Sequence, residues 1–139
     1  MFRQQYKPRI VIVDDAADVR RDLRILLEIA GLEVVGEAAD GREAIEKAAL
    51  LNPDVVVSDL AMPVLDGYAA AAAIRAALPQ CRLVALSIYS DDSGRSKARA
   101  AGFDAFVVKG APLVELLGAI RPLADETNRE SDNRESDRT

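Results

Sequence analysis

Three consecutive valines, Val55-Val56-Val57, followed by Ser58 and Asp59, constrain the fold of this 139-residue chain more than any other stretch. A run of β-branched residues without polar alternation reads as a strand buried on both faces, and such strands belong to parallel sheets covered by helices. Asp59 ends the run, Pro63 and Gly67 punctuate a loop, and residues 69–78 open as an alanine-rich helix that Pro79 ends. A carboxylate therefore stands at the C-terminal edge of a central strand, where open α/β sheets bind their ligands. Taken alone, Asp59 reads equally well as a turn aspartate after a strand. The other strand ends tip the balance.

The same punctuation recurs along the chain. Ile10-Val11-Ile12-Val13 is a second unbroken apolar run, and it ends in Asp14-Asp15. Val19, Leu23, Leu26, Leu27 and Ala30 then fall at helical spacing, and Gly31 occupies the usual left-handed stop. Residues 32–38 read as a strand and residues 41–51 as a helix broken by Asn52-Pro53. Residues 82–87 give a buried strand ending in Ser87. Residues 94–101 give a helix of little apolar content, expected to be the least stable, stopped by Gly102. Residues 103–108 give a last strand leading into Lys109. Pro112 suits the first turn of a final helix with Leu113, Leu116, Leu117 and Ile120 as its buried stripe, and Pro122 is expected to end or kink it. Five strands alternating with five helices predict an α/β fold: a flavodoxin-like, doubly wound, five-stranded parallel sheet in the order 2-1-3-4-5.

Half of the residues are hydrophobic and only 4% aromatic, so the core has to be built from Val, Leu, Ile and Ala. One domain is expected over residues 9–124, with a loose lead at 1–8. Residues 125–139 carry Asn-Arg-Glu-Ser-Asp twice in tandem and no apolar residue, and read as a mobile polar tail. The net charge of −5 argues against nucleic-acid binding by this chain. No secretory leader and no apolar run of membrane-spanning length is visible, so a cytoplasmic setting without membrane contact is expected. The one cysteine, Cys81, cannot form an internal disulfide and reads as a small hydrophobe. The chain lacks histidine, which excludes histidine triads, histidine zinc ligands and a phosphohistidine carrier.

In the expected order, strands one, three, four and five are neighbours spaced by about 4.8 Å. Their ends carry Asp14 and Asp15, Asp59, Ser87, and Lys109. Carboxylates that converge repel, and a hard divalent cation held by oxygen ligands, Mg²⁺ above all, relieves this. A carboxylate nucleophile beside a divalent cation, a lysine and a hydroxyl suits phosphoryl transfer: the carboxylate attacks in line while the positive groups neutralise the equatorial oxygens.

Val13-Asp14-Asp15, Asp59-Leu60-Ala61-Met62-Pro63 with Asp66-Gly67, Ala85-Leu86-Ser87 and Phe106-Val107-Val108-Lys109 together resemble a response-regulator receiver domain of the CheY-like kind. The resemblance covers about residues 9–123. It implies that Asp59 accepts a phosphoryl group from a histidine kinase or phosphotransfer protein. It implies Mg²⁺, for which Mn²⁺ could substitute, held directly by Asp15, Asp59 and the Ala61 carbonyl, with Asp14 acting mainly through a metal-bound water. It assigns Ser87 and Lys109 to the phosphoryl oxygens, and Ser87 and Phe106 to the switch that alters a partner-binding surface. Such a domain is a signalling module that catalyses its own phosphorylation and dephosphorylation and no other turnover. Val34-Val35-Gly36-Glu37-Ala38, Asp40-Gly41-Arg42-Glu43-Ala44 and Lys109-Gly110 further resemble the NarL/LuxR-type branch, although no helix-turn-helix follows here. Gly110 stands where many receivers have proline, so a trans peptide bond is expected after Lys109. Ile88 stands where many have a small residue and is expected to crowd access to the phosphate site. An output protein is expected as partner, and a homodimer is compatible with the leucines of the last helix. Two rival readings are an interaction module that is never phosphorylated and a Mg²⁺-dependent phosphohydrolase. The second lacks the acid/base carboxylate it would want at position 61, which is alanine.

Overall fold

The computed structural model describes residues 7–88 and 91–121. The elements are β1 (Arg9–Val13), α1 (Ala17–Ile29), β2 (Glu33–Ala38), α2 (Gly41–Leu51), β3 (Val55–Asp59), α3 (Gly67–Ala77), β4 (Arg82–Ser87), α4 (Asp92–Ala101), β5 (Ala105–Val108) and α5 (Leu113–Ile120). The strands form one parallel sheet in the order β2-β1-β3-β4-β5. This is the flavodoxin-like arrangement expected from the alternation of elements. The residues assigned to the polar tail and most of the N-terminal lead lie outside the described residues, as does Pro122.

The unbroken apolar strands are explained by two cores. Every side chain of β3 is buried. Val56 points with Val11, Val13, Leu83 and Ala85 to the face covered by α2, α3 and α4. Val55 and Val57 point with Ile10, Ile12, Val84 and Leu86 to the face covered by α1 and α5. Each buried Val, Ile or Leu side chain contributes about 1.5–3 kcal/mol. Ala44 and Ala48 of α2 and Ala70 and Ala71 of α3 are buried on the first face, where small side chains let helices lie close to the sheet and to each other. Leu27 of α1 and Leu116 and Ile120 of α5 cover the other face, with Leu113 and Leu117 half-buried beside them.

Local chemistry sets the ends. Gly31 and Gly102 adopt positive φ after α1 and α4, and Asn52 caps α2 in the left-handed region. Three helices carry aspartate caps: Asp40 accepts from the Glu43 amide, Asp66 from Ala69 and Asp91 from Gly94. Two of these caps shift the expected boundaries. Asp66 starts α3 at Gly67 instead of residue 69, and Asp91 starts α4 at Asp92 instead of residue 94, because a capping carboxylate satisfies first-turn amides that otherwise have no partner. β5 begins at Ala105, two residues later than expected, because Phe103 and Asp104 make the turn out of α4.

Arginines lash the layers together. Arg75 of α3 donates to the carbonyls of Pro79, Cys81 and Gly102 and pairs with Asp104, whose Oδ2 also accepts from the Leu83 amide. Arg82 Nε donates to Ala119 O at 2.6 Å, tying β4 to α5. Cys81 is buried, and burial pushes its thiol up to about 11, the state of a packing residue rather than a reactive one. Among the described residues no peptide bond is cis, so the Lys109–Gly110 bond is trans as expected; Gly110 has positive φ.

Candidate phosphoacceptor site

The C-terminal ends of β1, β3, β4 and β5 open onto one edge of the sheet. β1 delivers Asp14, which is 1% exposed. Its Oδ1 accepts from the Ala16 amide at 2.9 Å and its Oδ2 from Lys109 Nζ at 3.0 Å, so the carboxylate is held from both sides. Asp15 follows and faces solvent. Asp59, at the end of β3, is 8% exposed. Its Oδ1 accepts from the Ala61 amide at 3.3 Å, and its Oδ2 lies 3.2 Å from Lys109 Nζ.

Lys109 thus bridges two acids from different strands. Its own position follows from backbone pairing, since its amide donates to the Ser87 carbonyl at 2.7 Å. Burial alone would depress the ammonium. The Asp14 hydrogen bond and the charges of Asp59 and Asp14 outweigh burial, and the pKa lies above the ordinary lysine value. The group stays charged at any physiological pH.

One oxygen from each of Asp14, Asp15 and Asp59 lies within 4.8 Å of the others. Three carboxylates against one ammonium leave two uncompensated negative charges. An all-oxygen donor set of this charge fits a hard divalent cation rather than a soft one. An open cleft of about 450 Å³ adjoins the cluster, lined by Asp59, Ala61, Ser87, Ile88 and Lys109 together with Met62, Asp66 and Tyr68. Ile88 is 65% exposed and sits at the rim. A more apolar groove of about 360 Å³ lies between α1 and α5 and meets the site only at Lys109.

Of the residues singled out in the sequence, Asp14, Asp15, Asp59, Ala61, Ser87, Ile88 and Lys109 come together at this edge. Phe106 does not line the cleft. It stands opposite Ala85 across the β4–β5 pair, half-buried, with the Arg95 guanidinium 4.6 Å from its ring centroid. Tyr68, missed in the sequence, supplies an aromatic wall of the cleft from the first turn of α3. The one available signal was its place directly after Asp66-Gly67, in the stretch that leads away from Asp59.

The backbone under Asp59 is tightly built. Gly67 N–H donates to Leu60 O at 2.9 Å, and a β-carbon at Gly67 would stand 2.3 Å from the Asp59 carbonyl oxygen. Only glycine lets α3 begin this close to the residue that carries the central carboxylate.

The family described as "Response regulator receiver domain" matches residues 10–121. A curated relative, the response regulator GacA of Pseudomonas viridiflava, is 38% identical over 114 residues, 81% of this chain and 53% of that protein. The chemotaxis protein CheY of Thermotoga maritima is 40% identical over 101 residues, 73% of this chain and 84% of that protein. Among solved structures, a two-component response regulator of the LuxR family from Aurantimonas sp. SI85-9A1 superposes with a TM-score of 0.80 at 34% identity, covering 85% of both chains. The chain belongs to the response-regulator receiver family, the signalling domains of two-component systems, which are not conventional enzymes. Within that family it has both CheY-like homologues and LuxR/NarL-type structural neighbours. It spans about half the length of several of the curated relatives it matches, GacA among them. Among the described residues no helix is long and apolar enough to cross a membrane.

Proposed function

We propose that this chain receives a phosphoryl group on Asp59 from the phosphohistidine of a cytoplasmic histidine kinase or phosphotransfer protein. The observation that carries the reading is Lys109 Nζ, placed 3.0 Å from Asp14 and 3.2 Å from Asp59 beside the three-carboxylate cluster. An Asp59 oxygen attacks phosphorus, the phosphorus–nitrogen bond breaks, and the imidazole leaves with its electron pair. Lys109 neutralises charge on the transferred oxygens, and Ser87 orients one of them. Asp15, Asp59 and the Ala61 carbonyl would hold Mg²⁺, or Mn²⁺ in its place, with Asp14 contributing through water. The bound cation would supply charge neutralisation at the phosphoryl oxygens.

Phosphorylation biases a two-state equilibrium. Ser87 moves toward the new oxygens, Phe106 swings into the space this leaves, and the surface of α4, β5 and α5 changes for an output protein or a second copy of the chain. The direct test is intact mass after incubation with acetyl phosphate and Mg²⁺. One added phosphoryl group supports the reading; no addition, with a cognate kinase also failing, would leave an interaction module that is never phosphorylated.

Two expected outcomes follow from the site. Mg²⁺ relieves the carboxylate repulsion only in the folded chain, so it raises the thermal midpoint. At a free concentration about 100 times its dissociation constant the stabilisation is about 2.7 kcal/mol. Asp15→Asn removes most of that shift in a melting titration. Ile88 stands at the mouth of the cleft, so Ile88→Ala admits water and speeds loss of the phosphoryl group; an unchanged decay rate would sink this.

A further inference from the structure

α4 is poorly anchored by apolar contacts. Ala98 is its one buried residue. Two of its cations instead rest on aromatic rings of neighbouring elements: Arg95 over Phe106 of β5, and Lys97 over Tyr68 of α3, with Nζ 4.5 Å from the ring centroid. Tyr68 is also a wall of the cleft that holds Asp59, Ser87 and Lys109. The same ring therefore touches the phosphoacceptor site and the helix that follows Ser87 in the chain.

We infer that Lys97 positions the Tyr68 ring over the cleft, and that this pair governs how long a phosphoryl group survives on Asp59. The inference rests on the reading of Asp59 as phosphoacceptor. The step it controls is hydrolysis: a water oxygen attacks phosphorus, the bond to the Asp59 oxygen breaks, and inorganic phosphate leaves with the carboxylate restored. With the ring held, Tyr68 and Ile88 bound the cleft and limit the approach of water. With the ring released, the approach opens. The position of α4 is thereby coupled to phosphoryl lifetime through the Lys97–Tyr68 contact, and a partner that breaks this contact shortens that lifetime. Tyr68 acts here as an apolar plate. Burial, together with the charges of Asp66 and Asp91, raises its hydroxyl pKa, so the phenol stays neutral.

The test is a decay series on the full chain labelled with acetyl phosphate and Mg²⁺, then desalted and followed by intact mass. Lys97 is solvent-exposed, so its replacement leaves folding intact; the thermal midpoint is read alongside. Exposed cation–π contacts are worth about 0.5–1 kcal/mol, so Lys97→Met shortens the half-life about two- to fivefold. Lys97→Arg restores it. Tyr68→Ala shortens it at least as much, and Lys97→Met adds nothing in that background. A labelled wild type with Lys97→Met decaying at the same rate, or with the two effects fully additive, overturns this inference alone. A wild type that takes no label from any donor overturns the reading of Asp59 and this inference with it.

Discussion

Asp59→Asn takes up no phosphoryl group under conditions that label the wild type, and it melts no lower than the wild type. The two halves of this result have separate causes. Asparagine keeps the size of the side chain and an oxygen for the Ala61 amide, but its amide is not a nucleophile at phosphorus. It also removes one charge from a cluster in which three carboxylates face one ammonium, and Lys109 retains its hydrogen bond to Asp14. Lys109→Gln is the informative contrast. It keeps the nucleophile and removes the cation, so labelling slows by about 10²- to 10³-fold rather than vanishing. It also leaves the carboxylate of Asp14, 1% exposed, without its ionic partner, and the thermal midpoint falls. Intact mass and melting curves on the three proteins check both halves. Residual label in Asp59→Asn would move the acceptor to Asp14 or Asp15 and sink the assignment.

Gly67→Ala is the second large effect, here on stability. The added methyl would meet the Asp59 carbonyl oxygen at 2.3 Å and the Leu60 Cα at 2.8 Å. Both are backbone atoms, so no rotamer change relieves the contact. Either α3 backs away from the sheet or the end of β3 shifts. The first opens the core at Ala70, Ala71 and Ile74; the second misplaces Asp59. We expect a loss of about 3 kcal/mol, the upper end for an overpacked site. This corresponds to a fall of about 10 °C in the thermal midpoint for a domain of this size. The labelling rate of the fraction that remains folded should fall as well. A loss under about 1 kcal/mol would show that the α3 start is softer than its packing implies.

Strand existence and order were legible because both faces of this sheet are covered, which leaves unbroken runs such as Val55-Val56-Val57 rather than alternation. Stops were legible where the backbone demands a special conformation, at Gly31, Asn52 and Gly102. Starts were less so. Asp66 and Asp91 start their helices two residues earlier than expected, since a short carboxylate serves turns and caps by one chemistry, accepting from nearby amides. The site was legible where it depends on strand ends, since the topology alone brings Asp14, Asp59, Ser87 and Lys109 to one edge. Tyr68 and Lys97 escaped notice for the opposite reason. They lie on different helices, and their meeting depends on how closely α3 and α4 pack, which no periodicity encodes. The stacking of Arg95 on Phe106 was hidden in the same way.

The ion pair between Lys109 and Asp14 joins residues 95 positions apart. During synthesis, when the N-terminal part of a chain emerges first, the acids at positions 14, 15 and 59 come out long before the ammonium that offsets them. β5 is both the last strand of the sheet and the segment that delivers that ammonium. A nascent or truncated chain that stops short of it carries the three carboxylates without the ammonium that pairs with two of them. The lysine that offsets the acids therefore follows directly on the strand that completes the sheet, and a chain that stops before β5 lacks both.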